Sequence, residues 1–184
     1  MEKEFRGKRV RLVTGDITQV PAGAIVNAAN SALAGGGGVD GAIHRAGGPS
    51  IMRELDAIRG KSGGCPTGSA VATTAGALPA QFVFHAVGPV YSGGRRNEAA
   101  LLESCYRTCL DMAEARALRV VCFPSISTGA YRYPMEEAAA IALDAVRRHL
   151  ERDATRIEEV IFVLYDRAAY DVYARALARC GENR

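Results

Sequence analysis

Short apolar runs and amphipathic stretches take turns along this chain. Arg9 to Thr14 (RVRLVT) alternates polar and apolar residues as a half-buried strand does, and Ala24 to Ala29 (AIVNAA) is a more continuous, buried one. Val39 to Ala46 and Ser50 to Arg59 have helical spacing, the second opening after Gly47-Gly48-Pro49. Ser69 to Ala75 and Phe82 to Gly88 are strands rich in β-branched or aromatic residues, parted by a turn at Leu78-Pro79. From Asn97 to Leu118, Leu101, Cys105 and Cys109 repeat at i, i+4, as do Leu102, Tyr106 and Leu110, which predicts a helix. Arg119 to Pro124 is a buried strand. Pro134 stands where a first helical residue belongs, and Met135, Ala139, Leu143, Val146 and Leu150 continue the stripe. Glu159 to Tyr165 is the last strand and Ala168 to Arg179 the last helix.

Strands that alternate with helices predict a three-layer α/β domain with a mainly parallel sheet and right-handed crossovers. No repeat, linker or low-complexity tail interrupts the 184 residues, so residues 1–184 read as a single domain. In such a sheet ligands sit outside the carboxyl ends of the strands. That rule gathers four loops on one rim: Gly15 to Val20, Asn27 to Asp40, Ser125 to Pro134, and Asp166 onward.

Composition narrows the picture. Hydrophobic residues make up 48% and charged residues 23%, ordinary for a soluble globular protein. A net charge of +3 is too mild to imply nucleic acid and is compatible with a small anionic ligand. The N-terminus, MEKEFRGKRV, is charged and has no leader-like apolar core, and no apolar run approaches the ~20 residues that cross a bilayer. The expectation is a soluble, cytoplasmic protein without a membrane partner. Five cysteines form no C-x-x-C pair, and the three histidines are scattered, so reduced, buried thiols are expected and no metal site.

The least bland stretch is NAANSALAGGGGVDGAIHRAGG, Asn27 to Gly48. Four glycines from Gly35 to Gly38 before a helix let backbone N–H groups approach a ligand closely, which suits phosphate. An acid inside such a loop, Asp40, is repelled by phosphate. Asp40 is either a helix-capping or first-turn acid or a group that does chemistry or grips a sugar hydroxyl. Gly36, Gly38 and Gly41, with Asp56 further on, fit a dinucleotide fingerprint, but the preceding strand ends too early for its tight turn. A Walker A loop is excluded because no Gly-Lys-Ser/Thr follows.

The other loops complement this one. Asp16, in Gly15-Asp16-Ile17-Thr18, is either a helix cap or a carboxylate that accepts from an exocyclic amine. FPSISTGAYRYP, Phe123 to Pro134, runs through small hydroxyl residues and glycine to a helix start, an anion cradle in which Tyr131 can wall a sugar or base. Tyr165 is either a core-edge aromatic or a stacking platform for a nucleobase. Two phosphate-friendly loops can bracket a pyrophosphate. With Asp16 and Tyr165 at an adenine end, and Asn30, Asp40 and Tyr131 at a ribose end, the constellation describes ADP-ribose.

From about Val10 to Leu177 the chain resembles a macrodomain of the MacroD type. The resemblance is carried by GDIT (Gly15 to Thr18), NAAN with its glycine-rich continuation, CPTG (Cys65 to Gly68), HAVGP (His85 to Pro89) and PSISTG-x-Y (Pro124 to Tyr131). Two positions depart from the family pattern: Gly47 where alanine is common, and Arg132 where glycine is common. The resemblance implies an α/β/α fold with a central mixed, mainly parallel six-stranded sheet. It further implies that Asp16 and the Ile17 backbone hold the adenine, with Tyr165 packed upon it. Gly37, Gly38 and Val39 on one side and Ser125, Thr128, Gly129 and Ala130 on the other would surround the diphosphate. Asn30 would bind the distal ribose, Asp40 would orient or deprotonate a water, and Tyr131 would shape the ribose pocket; Asp40, Asn30 and Tyr131 are thus the expected catalytic group. Family members of this type are hydrolases that cleave ADP-ribose from acidic side chains and deacetylate O-acetyl-ADP-ribose without a metal or other cofactor. The expected partners are ADP-ribose and its esters, ADP-ribosylated proteins and ADP-ribosylated nucleic acid. Two alternatives carry their own signatures: a non-catalytic ADP-ribose reader, whose loop often lacks the acid, and an RNA binder using Arg147, Arg148 and Arg152, which the modest charge disfavours.

Overall fold

Residues 1–182 are described by a computed structural model. Seven strands form one sheet in the order β1-β2-β7-β6-β3-β5-β4. They are β1 (Glu2–Phe5), β2 (Lys8–Thr14), β3 (Ala22–Ala29), β4 (Ala70–Thr74), β5 (Ala80–Val87), β6 (Val120–Phe123) and β7 (Glu159–Leu164). The five inner strands are parallel, and the edge strands β1 and β4 pair antiparallel with β2 and β5. The sheet therefore has seven strands, not the six expected. The added strand, β1, is polar and short (EKEF), and only Phe5 is buried, so its hydrophobic pattern is too weak to announce it. Hydrogen bonds to β2 hold it, with Glu2 opposite Arg11 and Phe5 opposite Lys8.

The helices are α1 (Gly38–Gly47), α2 (Pro49–Ser62), α3 (Glu98–Ala115), α4 (Met135–Leu150) and α5 (Arg167–Arg179). Pro134 is the residue before α4 rather than its first turn. Side chains alternate across the sheet: Val160, Phe162 and Leu164 of β7 join one apolar cluster with α3, α4 and α5, while Ile161 and Val163 join the other with α1 and α2. Helices thus cover both faces, which gives the three layers.

The topology places the site. After β5 the chain crosses over β3 to lay down β6, so neighbouring β3 and β6 lead to helices on opposite faces. The loops after them diverge, and a crevice opens between their carboxyl ends at this switch point. Those loops are the glycine-rich one after β3 and the serine-rich one after β6. No helix among the described residues is long and apolar enough to cross a membrane.

Candidate functional site

One lip of the crevice is the segment from Asn30 to Asp40. Asn30 is half-buried and shapes the segment itself: its Nδ2 donates to Gly35 O (2.9 Å) and its Oδ1 accepts from Ala34 N (3.1 Å). Gly37 precedes α1, and Gly38, the first helical residue, has φ +57°, a left-handed conformation that suits glycine. The first helical bond back to the loop runs from Gly41 N to Gly37 O, so the N–H groups of Gly38, Val39 and Asp40 have no partner within the helix. A Cβ at Gly41 would lie 2.7 Å from Gly36 O, so that glycine lets the loop lie flat on the helix.

Asp40 is not a capping residue. It sits in the first turn of α1, only 6% exposed, and its carboxylate turns inward. Oδ1 accepts from Asn27 Nδ2 at 2.6 Å, and His44 Nε2, one turn on, stands 3.4 Å away. Oδ2 is closed off from solvent without a hydrogen-bond partner, facing Gly35 and Gly36. The side chains against the Asp40 carboxylate are therefore Asn27, which donates to it, and His44, not Asn30, which stands with it in the expected catalytic group. Asn27 was missed along with His85 and Thr73 behind it. A signal existed: each of AIVNAA and FVFHAV is an apolar strand broken by one buried polar residue, and the two breaks face each other in the sheet.

The opposite lip runs from Ser125 to Tyr131. Its hydroxyls build the loop more than they line the crevice. Ser125 Oγ accepts from Tyr173 OH (2.9 Å) and approaches Met135 Sδ (3.4 Å), while Thr128 Oγ1 donates to Ser125 O (3.0 Å). What this lip offers an anion is backbone: the N–H groups of Gly129, Ala130 and Tyr131 have no hydrogen-bond partner among the described residues. Ser127 adopts φ +67° and lies against Gly88, where a Cβ would come within 2.2 Å of Ser127 Oγ. Gly88 of the HAVGP segment is thus required by the close approach of this loop. Tyr131 is half-buried, and its carbonyl accepts from Tyr91 N at 2.9 Å.

The two remaining residues lie at the carboxyl ends of β2 and β7. Asp16 caps a single 3-10 turn (Ile17–Gln19), with Oδ1 accepting from Thr18 N (2.9 Å) and Thr18 Oγ1 (2.7 Å); the side chain is exposed, with its other oxygen available. Ile17 is buried beneath it. Tyr165 is 93% exposed, which excludes the core-edge alternative and leaves a bare aromatic ring on the rim beside Asp16. The strand pairing supports that adjacency, because Thr14 and Leu164 are register partners.

An exposed aromatic and carboxylate at one end, open N–H groups on two lips, and a buried acid at the other end form the layout of a nucleoside-diphosphate-sugar cleft. The Macro domain family model matches residues 26–142 of the chain. O-acetyl-ADP-ribose deacetylase 1 of Pantoea vagans is 51% identical over 170 residues, covering 92% of this chain and 99% of its own length. The O-acetyl-ADP-ribose deacetylase of Salmonella newport is 51% identical over 175 residues, covering 95% and 97%.

The chain belongs to the macrodomain family.

Among solved structures, the Oceanobacillus iheyensis macrodomain with ADP superposes at a TM-score of 0.92 and 39% identity, covering 97% of this chain and 94% of that one. The Trypanosoma brucei macrodomain in complex with ADP-ribose superposes at 0.83 and 38%, covering 91% and 68%. The two departures from the macrodomain pattern now have a geometry. Arg132 has φ +59°, a left-handed backbone that glycine adopts without strain. A Cβ at Gly47 would fall 2.2 Å from Ile51 Cδ1 and 3.3 Å from both Ala75 O and Leu78 Cδ1, so alanine there requires the buried Ile51 to repack and its neighbours to give slightly.

Among the described residues no His/Cys/Asp/Glu cluster has the makings of a metal site. Cys65, Cys105, Cys109 and Cys122 are buried free thiols; burial pushes Cys105 and Cys122 up to about 12, so they are unreactive.

Proposed function

We propose that this macrodomain is a hydrolase of ADP-ribose esters: it deacetylates O-acetyl-ADP-ribose and removes ADP-ribose from acidic side chains of proteins, the whole chain acting as one domain. The observation that carries this reading is Asp40. A buried carboxylate with one oxygen pinned by Asn27 and the other unpartnered, at the ribose end of an anion-binding cleft, is costly to fold and has no capping role. The relatives named as deacetylases and the neighbours holding ADP or ADP-ribose favour the same chemistry.

In this reading Asp16 accepts from the adenine amino group, beside the Ile17 backbone, and Tyr165 stacks on the ring. The diphosphate lies between the N–H groups of Gly37, Gly38 and Val39 and those of Ser125, Thr128, Gly129 and Ala130. Asn30 and Tyr131 bound the distal ribose. Asp40 Oδ2 orients a water, or takes its proton, as the water oxygen attacks the ester carbonyl. The carbonyl carbon's bond to the ribose oxygen then breaks, giving a free carboxylic acid and ADP-ribose. Gly35 and Gly36 cover Oδ2, so this loop must shift when water and ligand enter. Its glycines give it the freedom to do so.

The test is Asp40→Asn, which keeps shape and removes charge. Turnover of O-acetyl-ADP-ribose should fall by roughly 10²–10⁴-fold, the usual contribution of a positioned base, while calorimetry finds the ADP-ribose Kd within a few fold. Undiminished turnover overturns the role of Asp40. Wild-type protein that binds ADP-ribose but releases neither acetate nor free ADP-ribose from either substrate makes it a reader instead.

A further inference from the structure

A polar row crosses the otherwise apolar layer beneath α1 and α2. Asn27 on β3 is the register partner of His85 on β5, and Thr73 on β4 follows on the same face. All three are buried, among Ile25, Val83, Val87 and Ile43. Asn27 Oδ1 is buried without a hydrogen-bond partner, and the remaining polar atoms of the row pair in a way that assigns their hydrogens. A carboxylate only accepts, so Asn27 turns its Nδ2 to Asp40 Oδ1 (2.6 Å). The same nitrogen stands 3.1 Å from His85 Nδ1, which therefore accepts and carries no proton. His85 Nε2 then bears the hydrogen and donates to Thr73 Oγ1 (2.9 Å), whose own hydrogen goes to Thr74 O (2.9 Å). The opposite tautomer sets a donor against a donor at Asn27 and favours a flipped amide that aims its oxygen at Asp40.

His85 is also held in its neutral form. Burial, and secondarily the His44 ring stacked 6.1 Å away, pull its pKa from 6.5 down to about 3. Near pH 7 the His85 ring therefore carries no charge. The row ends on one group alone, Asp40.

We propose that His85 is a positioning residue for the hydrolysis: held by Thr73 as the Nε2–H tautomer, it fixes the Asn27 amide, which pins Asp40 Oδ1 and leaves Oδ2 as the oxygen that meets water. This rests on the reading of Asp40 as the group that orients water. His85 touches neither water nor substrate; it acts through Asn27.

The experiment compares wild type, His85→Phe, His85→Asn, Thr73→Val and Asp40→Asn in O-acetyl-ADP-ribose turnover, ADP-ribose calorimetry and urea unfolding. His85→Phe keeps the ring volume and removes the acceptor. Its kcat should drop on the order of 10²-fold, the cost of a misaimed group, with KM and Kd changed less than about threefold. In His85→Asn the side-chain oxygen takes the place of Nδ1 and should restore kcat to within about tenfold of wild type. Nitrogen NMR of the His85 ring should find Nδ1 bare and Nε2 protonated in wild type, with a mixture of tautomers and a several-fold lower kcat in Thr73→Val. Those last two measurements decide the matter if His85→Phe does not fold.

A folded His85→Phe with wild-type kcat overturns the proposal, as does a wild-type ring protonated on Nδ1. So does a loss of kcat and Kd together with no rescue by asparagine, because that is damage to the fold. Full activity of Asp40→Asn overturns the underlying reading of Asp40. An inactive Asp40→Asn beside a fully active His85→Phe overturns the positioning role only.

Discussion

The two lips of the cleft are held up by two very different layers. Beneath the serine lip lies the face covered by α3, α4 and α5, where Tyr106, Phe123, Phe162 and Tyr173 pack with ring centroids 5.0–6.1 Å apart, Phe123 on Phe162 stacked and the others tilted. Two hydroxyls at the end of this stack reach the lip: Tyr106 OH accepts from Ile126 N (3.2 Å), and Tyr173 OH donates to Ser125 Oγ. Beneath the glycine lip lies the face covered by α1 and α2, and there the row Asn27, His85, Thr73 interrupts the apolar packing. Aromatic burial is strongly stabilising and carries its polar atoms only at the tip. A polar row stabilises little and specifies orientation. One layer supports a lip that needs only backbone N–H groups in place; the other aims a single carboxylate.

Breaking the aromatic layer should have the largest effect. Phe162→Ala leaves a cavity among Tyr106, Phe123 and Tyr173 and should cost about 3–5 kcal/mol in urea unfolding. Because Tyr106 and Tyr173 also hold the serine lip, ADP-ribose affinity should fall with it. A destabilised variant that binds normally would separate the layer from the lip.

In mild acid the polar layer should respond first. His85 has its ordinary value, 6.5, when unfolded and is pulled down to about 3 by burial and by His44. As pH falls through 6.5 the unfolded chain gains a proton that the folded chain refuses, so stability is complete above that pH and declines below it. Between pH 6.5 and about 5 the loss should be roughly 2 kcal/mol, and His85→Phe should flatten it. Glu98 and Glu114 enter only below their ordinary value of 4.5. Burial pushes both up, but hydrogen bonds outweigh it and hold them lower: its own backbone N–H and those of Ser92, Arg96 and Gly94 for Glu98, and Thr155, Arg156 and His149 for Glu114. Unfolding curves at pH 7 and pH 5 for the two proteins check the slope.

The smallest effect concerns the serine lip. Arg132→Gly removes about 1–2 kcal/mol of left-handed strain and loses roughly 0.5–1 kcal/mol to the flexibility of glycine when unfolded. A net gain of about 0–1.5 kcal/mol in thermal unfolding is expected. A net loss would mean that the Arg132 side chain itself holds the lip.

Much of this was legible in the chain. The period of the apolar residues placed six of seven strands and all five long helices within a few residues, because each element buries a face against the sheet. The glycine run, Asp16, the serine loop and Tyr165 were identified as rim residues by the rule that ligands meet parallel strands at their carboxyl ends, and the topology places all of them on that rim. Strand β1 escaped because pairing, not hydrophobic pattern, makes it. The hydroxyls of Ser125 and Thr128 read as anion ligands, yet Thr128 Oγ1 donates within the loop to Ser125 O and Ser125 Oγ accepts from Tyr173 on α5.

The sequence by itself determined the layers, the rim and the residue types that face it, since periodicity and loop chemistry are local properties. Only the tertiary structure decided what holds Asp40. Asn27, His85 and Thr73 are 58 and 12 positions apart along the chain and meet because β3, β5 and β4 are neighbours in the sheet. Strand order depends on how whole elements pack, so no local pattern contains it. The partner of the acid, Asn27, lies three positions before Asn30: Asn27 is on β3 with its side chain turned beneath α1 by the pleat, whereas Asn30 stands just past the end of the strand and shapes the loop.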